Sequence, residues 1–193
     1  LGGDEEFNKK LDELFSMSSE LGEEASMDIT GLIGQYAHGN EPSHHTTYMY
    51  AYSGEHYKIA DKVRYINNEL YTDQPNGLSG NEDCGQMSAW YILSSMGFYP
   101  VNPSNGAYVF GSPLFDEVVL DIPGQKQFKI SAKNNSDENI YIQSVSLNGE
   151  DYKYSYITHK EILNGGELEF TMGAKPNKNF GKEKKYRPES IVY

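Results

Sequence analysis

Two short segments concentrate the side chains that could do acid–base or metal chemistry. Gly39-Asn40-Glu41 and Gly80-Asn81-Glu82-Asp83 share the order Gly-Asn-Glu, and each precedes a predicted helix. The dipole and free N–H groups of a helix N-terminus favour an ionised carboxylate. Such a carboxylate serves as a general base or as a ligand for a hard cation such as Ca²⁺. Simple helix capping is the structural alternative for all three carboxylates.

Further polar residues surround these segments. His38, His44 and His45 lie beside the first, and Gln86 follows the second. Adjacent helical residues point about 100° apart, so His44 and His45 cannot share one ion. This spacing argues against a transition-metal site. Each histidine is then either a satisfied buried group or a contact to a polar ligand, and so many polar groups are costly to bury without one.

Predicted helices position both segments. An apolar stripe predicts a helix over residues 4–16. Asn40 as N-cap and Pro42 in the first turn predict a helix from Glu41 to about residue 54. Further helices are expected over about 56–70 and from about Asp83 to Gly97.

Short connections make neighbouring helices antiparallel. The helices that start at Glu41 and near Asp83 therefore begin at the same end of the helical layer. The two Gly-Asn-Glu segments, 40 residues apart in the chain, are predicted to form one site.

The second half of the sequence has a different pattern. Short β-branched and aromatic runs separated by turn residues predict an antiparallel sheet or part of a sandwich. The predicted strands cover residues 108–110, 117–122, 127–132, 140–147, 152–158 and 168–172. The sequence therefore predicts an α plus β fold.

Composition limits the classes of function. The 193 residues include 28 acidic and 16 basic side chains, a net charge of −12. Nucleic-acid affinity comes largely from Lys and Arg that displace counterions, so nucleic acid is not an expected partner. No apolar run reaches the roughly 18–20 residues that cross a bilayer. The single cysteine, Cys84, excludes an intrachain disulfide.

Three strings resemble one enzyme family. They are GLIGQYAHGNEPSHHTTYMY (31–50), GLSGNEDCGQMSAWYILSSMGFYPV (77–101) and YVFGSPLF (108–115). They look like the C-terminal part of the calcium-dependent exo-α-mannosidases of glycoside hydrolase family 92, and the resemblance covers essentially the whole chain. It implies that residues 1–104 are the last helices of an (α/α)₆ catalytic barrel. Residues 105–193 are then the small antiparallel β-sheet or sandwich portion that follows.

The resemblance also implies catalytic roles. Asp83 corresponds to the general base, with Glu82 and Asn81 in the same water-activating cluster. The family mechanism is inverting, which needs an ionised base to activate water opposite a separate acid. The general acid of the family lies upstream of this chain. The chain alone is therefore expected not to turn over substrate, and its missing N-terminal part is an expected partner.

Binding roles follow in the same way. Asn40 and Glu41 correspond to the pair that binds Ca²⁺, which contacts mannose hydroxyls in this family. His38 and Gly39 correspond to the loop that meets the next sugar, and His44 is a further candidate substrate-binding residue. The implied substrate is a mannose-containing oligosaccharide such as an N-glycan. Family members are often exported, although the sequence does not define the compartment.

A second class of function is compatible with the same residues. The chain would then be a calcium-dependent carbohydrate-binding or structural module that kept the fold without catalysis. A Glu in the family's acid motif, upstream of this chain, would support the enzyme, and its loss would support the binding module.

Overall fold

The computed structural model describes residues 2–20 and 29–190. Its α-helices are α1 (Asp4–Ser16), α2 (Lys58–Glu69), α3 (Gln86–Met96) and α4 (His159–Leu163). The first four strands are β1 (Leu32–Ile33), β2 (Tyr36–Ala37), β3 (Phe98–Tyr99) and β4 (Ala107–Phe110). The later strands are β5 (Glu117–Ile122), β6 (Lys126–Lys133), β7 (Tyr141–Leu147), β8 (Glu150–Asp151), β9 (Tyr156–Thr158) and β10 (Gly166–Gly173). The α plus β class is confirmed, and the (α/α)₆ barrel stays a prediction.

The helices form where the apolar spacing predicts them. Leu11 is the buried centre of the α1 stripe, and the apolar face of α2 is fully buried. Gly97 caps the end of α3, because its left-handed backbone (φ +101°) lets its N–H donate to carbonyls of the last turn. None of the helices in the described residues has both the length and the apolar character needed to cross a membrane.

The predicted helix from Glu41 to about residue 54 takes another form. The chain there makes two 3₁₀ segments, Glu41–Ser43 and Thr46–Tyr52, instead of one α-helix. The Ser43 hydroxyl donates to the carbonyls of Ala37 and Asn40, both at 2.6 Å. Such local bonds compete with α-helical ones, and the Thr and Tyr residues that follow are poor helix formers.

A five-stranded sheet has the strand order β5-β6-β10-β7-β8. Its neighbours are antiparallel except for β6 and β10, which are parallel. The prediction of an antiparallel sheet is therefore wrong for the pairing of β6 with β10. Phe128, Leu168 and Phe170 are fully buried on its inner face.

A smaller sheet, β3-β4-β9, joins the two halves of the chain. The predicted strand over residues 152–158 is formed only at Tyr156–Thr158, and it pairs with β4 in this second sheet. Phe98 and Phe110 pack with the large sheet, whereas Tyr99 and Val109 pack with the helices. The alternation of side chains along β3 and β4 therefore connects the two cores. The division at residues 104 and 105 stays a prediction.

The segment after β10 returns to the first helix. Arg187, with a side chain only 11% exposed, bonds the Asp4 carboxylate at 2.7 Å. The same guanidinium donates to the carbonyls of Lys182 and Tyr52. These bonds hold the segment around Arg187 against α1 and the 3₁₀ segment that contains Tyr52.

Candidate active site

The two Gly-Asn-Glu segments lie against each other, as the sequence predicts. The backbone N–H of Asp83 donates to Glu41 Oε1 at 3.3 Å, although the residues are 42 positions apart. The Thr30 hydroxyl donates to the Ser79 carbonyl and adds a second bond between the same loops. Glu41 in the first loop therefore lies beside the start of the 3₁₀ turn Asp83–Gly85, which precedes α3.

Two glycines permit this close approach. A Cβ added at Gly80 would lie 2.7 Å from the Cα of Gly39, and one added at Gly39 would lie 2.5 Å from the Ser79 carbonyl oxygen. Real Cβ atoms do not make backbone contacts this short. Gly39 is buried in this contact. The predicted contact between Gly39 and a second sugar of the substrate therefore stays a prediction.

Glu82 and Asp83 are adjacent but differ in their surroundings. Glu82 Oε1 accepts the Ser88 N–H at 3.1 Å, and Oε2 accepts the Ser88 hydroxyl at 2.5 Å. These two bonds lower the pKa of Glu82, with the hydroxyl contributing most. Glu82 is thus an ionised cap for the first turn of α3.

Asp83 is exposed, and within the described part of the chain its carboxylate accepts no hydrogen bond. Cys84 and Gly85 both have left-handed backbone (φ +55° and +76°), which makes a tight turn between Asp83 and α3. Asn81 is exposed beside it. Of the neighbouring acidic groups, Asp83 is therefore the one available to a water molecule or a substrate.

His38 is completely buried and has a defined tautomer. The Tyr71 hydroxyl donates to the Met87 carbonyl at 2.9 Å, so its oxygen accepts from His38 Nε2–H at 2.7 Å. His38 Nδ1 is then the acceptor for the Tyr36 hydroxyl at 2.8 Å. Burial, with a smaller contribution from His44, lowers the pKa of His38 to about 3. This histidine is neutral at physiological pH.

His44 is equally enclosed. Its Nε2–H donates to the His38 carbonyl at 2.9 Å, because a carbonyl oxygen only accepts. Its Nδ1 accepts from Gln86 Nε2 at 3.1 Å, and that amide nitrogen also donates to the Tyr99 hydroxyl. Burial lowers the pKa of His44. Both ring nitrogens of His38 and His44 are thus occupied inside the protein, and sugar contact by either histidine stays a prediction.

The sequence did not identify Tyr71 or Tyr99 as site residues, and it gave Gln86 no definite role. Tyr71 lies just beyond the end of α2, and Tyr99 belongs to β3, so neither is close to the Gly-Asn-Glu pattern in the chain. No local spacing marks them. Their only common feature is a hydroxyl directed at the histidine network, which becomes visible once the fold is known.

The oxygen donors of the first loop are of the kind that a hard cation binds. Ca²⁺ takes about 6–8 oxygen ligands in proteins. Asn40 is exposed and Glu41 is half-buried, and both offer side-chain oxygens. Among residues 2–20 and 29–190, however, no three His, Cys, Asp or Glu side chains converge as a metal site.

A cavity of about 300 Å³ adjoins the loops. Its lining includes the polar side chains of Glu41, His45, Gln86 and Tyr99 together with Pro100. A larger cavity of about 710 Å³ lies between α1 and the segment that carries Arg187, and neither Gly-Asn-Glu segment lines it. Of the two Gly-Asn-Glu segments, only Glu41 contributes to the lining of the smaller cavity.

The exposed Asp83 carboxylate and the oxygen donors of the first loop are groups of the kind that a hydrolase uses to activate water. The model of the glycosyl hydrolase family 92 catalytic domain matches residues 1–174. The chain belongs to this family, and the resemblance seen in its sequence is confirmed.

Solved structures support the assignment. The chain is 40% identical to the family GH92 α-mannosidase BT3965 from Bacteroides thetaiotaomicron over 99% of its length, with a TM-score of 0.89. It is 37% identical to the inverting mannosidase BT2199 from the same organism over 98% of its length, with a TM-score of 0.84. It spans 25% and 27% of those chains, respectively.

A curated relative carries a broader name. The chain is 35% identical over 138 residues to an uncharacterized secreted glycosidase of Arthroderma benhamiae, which covers 70% of this chain and 18% of that protein. The chain therefore spans only a minor part of the length of these relatives.

Proposed function

We propose that this chain is the base-bearing part of a calcium-dependent, inverting exo-α-mannosidase that removes terminal α-mannosyl groups from glycans. The observation that carries the proposal is the contact between the Asp83 segment and Glu41 in a chain of this family. Related structures are named as α-mannosidases, one is named as inverting, and one was determined with mannoimidazole. Those names describe the relatives and support the same substrate class here.

Asp83 is the proposed general base. Its exposed carboxylate has no competing bond in the described residues, whereas both oxygens of Glu82 are held by Ser88. A base must accept a proton from water, and a carboxylate with free oxygens is suited to this. We assign Glu82 the role of a fixed neighbouring charge that keeps Asp83 at the start of α3. Asn81, exposed on the same loop, would help to orient the water.

Asn40 and Glu41 are the proposed protein ligands of a Ca²⁺ ion. The remaining ligands would come from water, substrate hydroxyls or parts of the larger protein. When bound, the ion would supply a positive charge that orients the hydroxyl groups of mannose. Glu41 also receives the Asp83 N–H, so this side chain connects the proposed ion site to the proposed base.

The general acid is proposed to lie outside this chain, in the part of the protein that its relatives contain and this chain does not. Inverting glycosidases need the acid and the base on opposite sides of the sugar ring, about 6.5–9.5 Å apart. We propose that the helices complete an (α/α)₆ barrel with that part, and that the whole protein is exported like the secreted relative.

The test is hydrolysis of α-linked mannobioses by the complete enzyme, followed by proton NMR with and without EDTA. Release of β-mannose that stops on chelation is the expected result. Asp83→Asn should lower kcat by about 10²-fold or more, since general-base catalysis typically contributes 10²–10⁴-fold. Asp137→Asn, at an exposed loop outside the site, is the matched control.

Two results would contradict the proposal. Asp83→Asn activity within about tenfold of the control would remove Asp83 as the base. No turnover of any α-mannoside by a folded complete protein that still binds Ca²⁺ would favour the non-catalytic carbohydrate-binding module instead.

A further inference from the structure

The buried histidines form a continuous hydrogen-bonded network between the first loop and α3. One arm runs from Tyr36 through His38 and Tyr71 to the Met87 carbonyl. The other runs from the His38 carbonyl through His44 to Gln86. The two arms thus meet α3 at its first two residues, directly after the turn that carries Asp83.

Aromatic packing holds the same groups in one arrangement. The rings of His38 and His44 are stacked with centroids 4.5 Å apart, and the Trp90 ring meets His38 edge-on at 4.5 Å. Trp90 Nε1 also donates to the His44 carbonyl at 3.2 Å. Every described donor and acceptor on the two histidine rings has a partner. A fully satisfied buried network favours a single geometry over alternatives.

We propose that Tyr71 and Gln86 are positioning residues that, through His38 and His44, fix the Asp83 segment against the loop that carries Glu41. The inference rests on the proposed mannosidase function for its kinetic consequence. It extends that function because it gives the histidines an indirect role. In this proposal Tyr71 and Gln86 act indirectly, because each bonds a histidine of the network that holds the Glu41 loop.

The alternative is that the network only stabilises the fold. The two roles differ in what happens near Asp83. Loss of a merely stabilising bond lowers the free energy of unfolding and leaves the folded site unchanged. Loss of a positioning bond lets the two loops separate in the folded state. The 3.3 Å bond from the Asp83 N–H to Glu41 would then be weakened first.

The test compares Tyr71→Phe and Gln86→Leu with Tyr91→Phe in the complete enzyme. Tyr91 packs on the Tyr71 ring at 4.8 Å, but its hydroxyl has no described hydrogen-bond partner, so it is a matched control. We expect kcat on an aryl α-mannoside to fall about tenfold or more in the first two variants, with KM changed less than about twofold, because small misplacements of reacting groups are costly. Tyr91→Phe should match the wild type.

Amide hydrogen exchange gives a readout that does not depend on activity. Exchange in residues 79–85 should become about tenfold faster in Tyr71→Phe and Gln86→Leu, while exchange in β6 and β10 stays unchanged. If Tyr71→Phe does not fold, Gln86→Leu tests the second arm alone. Exchange and kcat equal to those of Tyr91→Phe would overturn the inference. An enzyme without mannosidase activity would refute the proposed function, and the exchange experiment would still decide whether the network positions the loops.

Discussion

Acid destabilisation of this protein is expected to involve His56. The side chain is 3% exposed, and its Nε2–H donates to the Phe110 carbonyl at 2.8 Å. Burial lowers the pKa of His56 to about 4, and the bond to Phe110 opposes this only in part. The fold therefore holds a neutral ring at a pH at which the unfolded chain is already protonated.

The sign and size of the effect follow from this difference. The ordinary pKa of histidine is 6.5, so between pH 6.5 and about 4 the unfolded state binds a proton that the folded state does not. Stability contributed by His56 is therefore present above pH 6.5 and is lost as the pH falls through this window. Each pKa unit corresponds to about 1.4 kcal/mol, which gives a loss of about 3 kcal/mol between pH 7 and pH 4.

Urea unfolding followed by Trp90 fluorescence would measure this loss, because Trp90 is the single tryptophan and is fully buried. His56→Gln keeps an N–H donor for Phe110 but has no titrating ring. The free energy of unfolding of the wild type should fall by about 3 kcal/mol more than that of the variant between pH 7 and pH 4. Other titrating groups cancel in this comparison. An equal pH dependence in the two proteins would refute the reasoning.

Other substitutions test the loops and the core. Gly80→Ala forces the two loops apart and should lower kcat of the complete enzyme about tenfold or more. Gly173→Ala in β10, whose Cβ would meet the Gln143 side chain and neither loop, should not lower kcat. Equal activities of the two variants would show that the close approach is not required. Ser88→Ala removes the main bond that lowers the pKa of Glu82, so an NMR titration should show that pKa rising. An unchanged value would exclude the bond from the Ser88 hydroxyl. Phe170→Ala, fully buried in the sheet core, should lower the free energy of unfolding by about 3–5 kcal/mol in urea; a loss below about 1 kcal/mol would contradict its central place.

Sequence reasoning succeeded where the relevant interactions are local. The apolar stripe of α1 fixes its buried face by itself, and its bounds are confirmed. The segment from Glu41 to Tyr52 is helical where the sequence predicts it, but it forms 3₁₀ turns instead of an α-helix. The reason is that the Ser43 hydroxyl competes for nearby carbonyls. The parallel pairing of β6 and β10 had no local signal, since alternating apolar residues suit either strand direction.

The site was predictable to the same extent. The meeting of the Glu41 and Asp83 segments followed from helix directions alone and is confirmed by the bond between them. The partners of the histidines were not predictable, because Tyr71 and Gln86 reach them only after α2 and α3 have packed. The catalytic and calcium-binding assignments came from the family resemblance and stay predictions.

The ion pair between Asp4 and Arg187 has a consequence for the order of folding. The two residues are 183 positions apart, so this contact has one of the largest sequence separations that the described residues allow. During synthesis, α1 leaves the ribosome long before Arg187 is added. Part of the α1 surface therefore stays exposed until the Arg187 segment is made. The contact between α1 and this segment should be among the last to form.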